Sequence, residues 1–145
     1  MLEISAIGDS FSLQRLAGVV EVLERARLEV MVEQSFWIAT LPEWLLSEFN
    51  PERSREEKIA WLAQWRRAAP EEQNRLLEEQ GWELMQWAYW FGCDNEEWAI
   101  RSISIDSENN VLKILLEGAD EDSPVEAIDW LIGQSGCRTT EKRLI

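Results

Sequence analysis

The sequence predicts a single α+β domain over residues 1–145, in which an antiparallel sheet of about four strands packs against helices on one side. Three observations lead there. The stretch "WAIRSISIDSENNVLKILLEG", residues 98–118, alternates apolar and polar residues on either side of an Asn109-Asn110 turn, the pattern of a hairpin with one buried face. Other segments repeat their apolar residues at helical spacing behind capping signals. A chain of 145 residues that is 46% hydrophobic forms one domain with a core that needs no staples.

Taken in order, "LEISAI" alternates and reads as a short edge strand that Gly8 ends. Asp9 or Ser10 then caps a helix whose Leu13, Leu16, Val20 and Leu23 share one stripe as far as Arg27. Residues 28–40, "LEVMVEQSFWIAT", are rich in β-branched and aromatic side chains and read as one or two strands, with a turn at Glu33 to Ser35. After Pro42 a short helical turn, "EWLLSEF", stops at Asn50 and Pro51. Ser54 and Glu57 make a capping box ahead of "KIAWLAQWRRA", where Trp61 and Trp65 lie one turn apart. Pro70 opens the next helix with Glu71 and Glu72 at its positive end. A stripe through Leu77, Leu84, Trp87 or Ala88, and Phe91 carries this helix to Gly92, bent at Gly81. In the hairpin, Ile103, Ile105, Leu112, Ile114 and Leu116 fall on one face. Finally Ser123, Pro124 and Glu126 combine a capping box with Pro at the first helical position and launch "VEAIDWLIGQSG", which Gly133 or Gly136 ends.

Composition narrows the chemistry. Histidine is absent, which removes the commonest zinc ligand and the usual general base of serine and cysteine hydrolases. Cys93 and Cys137 fit no CxxC spacing and are expected to be reduced and packed. No metal and no cofactor is expected, and no enzymatic activity. The net charge of −14 disfavours direct binding to nucleic-acid phosphates. No apolar run approaches the roughly 18 residues of a membrane span, and the start lacks the basic residues of a secretory signal. A cytoplasmic location without membrane insertion is the expectation.

Two features stand out, and they are adjacent. "LMQWAYWFGCDNEEW", residues 84–98, spreads aromatics over more than one helical face, with Trp87 and Trp90 on one stripe and Trp82, Met85 and Tyr89 on another. Such a helix is either packed on both sides in a Trp-rich core or presents one stripe to a partner, a role in which Trp and Tyr are enriched. Acidic residues concentrate in the same region. Residues 81–130 hold twelve acids and two bases, a net −10. A hairpin that turns near Asn109 brings Asp94, Glu96 and Glu97 beside Glu117, Asp120, Glu121 and Asp122. Glu121 and Asp122 precede a helix N-terminus, which welcomes negative charge, but the other five have no such explanation. No EF-hand spacing is present, so calcium is disfavoured, and sequence spacing alone does not establish a glycosidase-like carboxylate pair. A solvated acidic rim and a surface that steers a basic protein both fit.

Within residues 82–118, Trp87, Cys93-Asp94, Trp98 and then Ile103-x-Ile105-x-Ser107 leading into an Asn turn resemble the pattern of a family of small immunity proteins from bacterial polymorphic-toxin systems. The chain departs from that pattern in having no His after the tryptophan and no Asn-Pro-Gly turn. The resemblance implies a cytoplasmic, bacterial protein that binds and blocks a cognate toxin.

The sequence therefore leads to an acidic protein-binding module, an inhibitor or immunity protein for a basic partner. Its expected partner-binding residues are Asp94, Glu96, Glu97, Glu117, Asp120, Trp82, Tyr89 and Trp90. A small acidic secretion or assembly chaperone, which would be a homodimer, is the alternative, and a small carboxylate-based enzyme the third.

Overall fold

The structure is a computed structural model and describes residues 1–28 and 32–145. Its centre is strand β1 (Leu2–Ile7), which pairs antiparallel on one side with β3 (Val111–Glu117) and on the other with β4 (Arg138–Leu144). Strand β2 (Ala99–Asp106) pairs antiparallel with β3 and completes a four-stranded sheet in the order β2-β3-β1-β4. One face is apolar. Leu2, Ile4 and Ala6 of β1 and Leu112, Ile114 and Leu116 of β3 are buried beneath helix α1 (Ser10–Arg27) and helix α7 (Glu126–Gln134). Across the opposite face Glu3 pairs with Lys113 and Arg143, which bridges three neighbouring strands with charge.

Helix α1 starts where expected. Asp9 accepts a hydrogen bond from the Ser12 backbone N–H at 2.7 Å, and that bond holds its carboxyl below the usual carboxylate range. Leu13, Leu16, Val20 and Leu23 all reach the core. The middle of the chain is helical: α2 (Gln34–Thr40), α3 (Glu43–Leu46), α4 (Arg55–Arg67), α5 (Pro70–Gln80) and α6 (Leu84–Tyr89). The capping box of α4 is formed, since Glu57 N–H donates to Ser54 Oγ at 3.2 Å while Glu57 Oε1 accepts from Ser54 N–H at 3.3 Å. Pro70 is the first residue of α5.

Several expectations are corrected. Residues 29–31 of the expected strand segment lie outside the described residues; Leu28 ends α1, and residues 34–40 form a helix. Burial of Trp37 among neighbouring helices outweighs the β propensity of "SFWIAT". Strand β1 is an interior strand, because β4, whose polar sequence carries no apolar alternation, pairs with its free side. One helix does not run from Pro70 to Gly92. Gly81, at φ +64°, ends α5, Leu77 is 49% exposed, and α6 begins anew at Leu84. The capping box at Ser123 is also absent. Asp120 N–H donates to Ser123 Oγ at 2.9 Å, and that hydroxyl donates to Asp120 Oδ1 at 3.2 Å, so the serine is committed to the preceding turn and α7 starts at Glu126. Gly136, at φ +91°, follows the end of α7 as a left-handed cap. Cys137 is buried, and burial pushes its thiol pKa up, whereas Cys93 is exposed.

The hairpin register confirms the shared face: Ile103 lies opposite Ile114 and Ile105 opposite Leu112. Depth differs along it. Leu112, Ile114 and Leu116 are buried, Ile103 is partly covered, and Ile105, next to the turn, is 50% exposed.

Candidate functional site

The two strand ends at the root of the hairpin meet as the alternation requires. Ala99 is opposite Glu117, and Gly118, at φ +85°, brings its backbone close enough that an added Cβ would stand 3.4 Å from the Glu97 carbonyl. A glycine meets both demands at that position. Trp98 closes the join from beneath: buried, it donates its indole N–H to the Pro124 carbonyl. Asn95 ties in the end of α6, with its amide donating to the carbonyls of Trp90 at 2.7 Å and Trp98 at 3.1 Å. That asparagine is a positioning residue the sequence reading missed. Its only signal was an amide side chain inside a loop joining a helix to a strand.

Fixed in this way, Asp94, Glu96, Glu97, Glu117 and Asp120 are all exposed, and among the described residues none of them forms an ion pair. Asp120 differs from the rest because its Oδ1 also accepts the Asp122 backbone N–H at 2.9 Å and so shapes the turn. Among the described residues no group of three or more His, Cys, Asp or Glu is placed to hold a metal ion.

The aromatics divide. Tyr89 is 52% exposed, packs edge-on against Trp90 and points its hydroxyl toward the Asp94 carbonyl at 3.5 Å. Trp90 is half-buried and lies parallel to Trp98, with ring centroids 6.3 Å apart. These two belong with the acids. Trp82 does not, since it precedes α6 and lines a separate shallow groove with Leu77, Gln86 and Trp130. Trp87 is core: fully buried, it donates its indole N–H to Ala127 O at 3.0 Å and contacts Phe49, Phe91 and Trp130.

A second charged centre was not anticipated. Glu83 is only 1% exposed, and its Oε1 accepts from both the Arg53 backbone N–H at 2.9 Å and the Arg53 side chain at 3.0 Å. Lys58 stands 3.9 Å from Oε2, which is buried without a hydrogen bond. Burial alone pushes this carboxyl up. The hydrogen bonds from Arg53, with the charges of Lys58 and Arg53, outweigh it and hold the group below its ordinary value. Together with Asn50, whose N–H donates to the Trp82 carbonyl at 2.8 Å, this pair closes the base of the α4–α5 hairpin. Its role is structural.

Comparisons of the chain with models of protein families, with curated proteins and with solved structures return no match. Among the described residues no helix is long and apolar enough to cross a membrane.

Proposed function

We propose that the chain is a non-enzymatic protein-binding module that presents the root of its β2–β3 hairpin to a basic protein, in the manner of an inhibitor or immunity protein. One observation carries this reading. Asp94, Glu96 and Glu97 are exposed in the loop that enters β2, Glu117 is exposed at the end of β3 opposite Ala99, and exposed Tyr89 points its hydroxyl toward the Asp94 carbonyl. A rigid patch of one sign speeds encounter with an opposite charge, and an adjacent aromatic supplies contact area that charge alone does not.

The test is kinetic. With a partner recovered by pull-down, changing Glu96, Glu97 and Glu117 together to glutamine is expected to slow association about tenfold at low salt while dissociation changes less. Asp120 is left intact because its carboxylate holds a turn. Added salt is expected to slow the wild-type protein toward the variant. An association rate indifferent both to salt and to the triple substitution rules the electrostatic reading out.

A further inference from the structure

Arg15 is half-buried on α1, and among the described residues it forms no ion pair and no hydrogen bond, although the chain carries 28 carboxylates. Aromatic rings hold it instead. Its guanidinium carbon stands over the Trp44 ring at 4.0 Å from the centre and over that of Phe11 at 5.4 Å. These contacts fix the guanidinium and leave its N–H donors without an oxygen acceptor.

Beside it lies a groove of about 310 Å³ between α1 and α3, near the lower end of the volumes that hold small ligands. Val19, Val22, Pro42 and the Trp44 ring line it, and Gly18 keeps it clear, because a Cβ added there would meet nothing within 4 Å. Gln14 contributes the one side-chain amide. Among the described residues no carboxylate lines this groove. Two other surface grooves have the opposite character: Glu57 and Glu79 line one, and Glu78 and Glu126 line the other.

We propose that the groove between α1 and α3 binds a small monocarboxylate with a short apolar tail, the carboxylate on Arg15 and the tail against Val19, Val22 and Pro42. The planar guanidinium fork matches a carboxylate with two parallel hydrogen bonds. Because Arg15 is already held on Trp44, little side-chain freedom is lost when the ligand arrives. One arginine balances one negative charge. A dianion such as phosphate would need a second cation, which the groove lacks, against the field of a chain at −14.

Heteronuclear NMR of the intact protein, titrated with isocaproate, tests this. The Arg15 side-chain N–H and the Gly18 amide are expected to shift together and to saturate, with half-saturation at about 1 mM. Isocaproamide, which has the same tail without the charge, should leave both signals in place. Arg15→Gln should weaken binding about tenfold or more, and Arg15→Lys by less, because it keeps the charge and loses the fork. Gly18→Leu should block the groove while melting no lower than wild type, since the helix position is open and leucine is the better helix former. Equal shifts with isocaproamide, wild-type affinity in Arg15→Gln or in Gly18→Leu, or acetate binding as tightly as isocaproate would each overturn the proposal. A leucine-ended peptide that binds where isocaproate does not would overturn it as well, by assigning the groove to a protein partner.

Discussion

The sheet with α1 and α7, and the α4–α5 hairpin, use apolar side chains in opposite ways. In the first, Leu2, Ile4, Leu16, Leu23, Ile114 and Ile128 are almost wholly buried in one continuous core. In the second, α4 buries none of its thirteen residues, Ile59 is 58% exposed, and Leu76 is the only buried residue of α5. What holds α4 and α5 is local: the capping box, Gln73 Nε2 donating to Trp65 O at 3.0 Å, and Arg75 bridging Glu72 and Glu79. Burial scales with area removed from water, whereas exposed ion pairs contribute little. The hairpin is therefore the less stable region and is expected to open without global unfolding.

Substitutions sharpen that contrast. The largest effect is expected from Ile114→Asp, which forces a charge into the buried face of β3 and should cost about 4 kcal/mol or more, enough to unfold the domain in a urea titration. An unchanged urea midpoint would mean that the sheet face is not the core. Glu83→Gln comes next, since it breaks the buried pair at the base of the α4–α5 hairpin and leaves Arg53 uncompensated, at about 3 kcal/mol. Its pH dependence has a defined sign. The folded carboxyl lies below its ordinary 4.5, so its stabilising contribution is complete above that value and disappears as pH falls through the folded pKa. Wild type and Glu83→Gln should accordingly converge in strongly acidic solution, and a gap that widens there would contradict the assignment. Leu62→Ser, on the exposed side of α4, should shift stability by less than about 0.5 kcal/mol. Hydrogen exchange in the same variant should still show α4 amides exchanging well before those of β1. Equal protection in the two would erase the distinction.

Legibility in the sequence followed the range of the interaction. Asp9, Ser54 and Pro70 mark helix starts through contacts within a few residues, and all three were readable. The hairpin was readable because its period of two survives intact from Ile103 to Leu116. Strand β4 was not, since an exposed edge strand such as "RTTEKRL" needs no apolar pattern and is fixed by β1 alone. For the site, the antiparallel pairing expected of the hairpin was sufficient to set Ala99 opposite Glu117 and Glu97 beside Gly118. It was not sufficient to separate Trp82 from Tyr89, which depends on Gly81 ending α5, nor to assign Asp120 to a turn with Ser123. Glu83 could not be recognised at all, because a glutamate reads as surface until Arg53, thirty residues earlier, is seen to meet it.

The place of β1 bears on how the chain reaches this structure during synthesis. Leu2 is opposite Leu116 on one side and Leu144 on the other, so β1 finds both of its hydrogen-bonding partners far along the chain. Until those are made, Leu2, Ile4 and Ala6 lack both neighbouring strands, and β2 and β3 can zip up as a hairpin without them. Contacts this distant in sequence slow folding and keep sticky segments exposed for longer. The sheet stays open on either side of its central strand until β3 and β4 have been made.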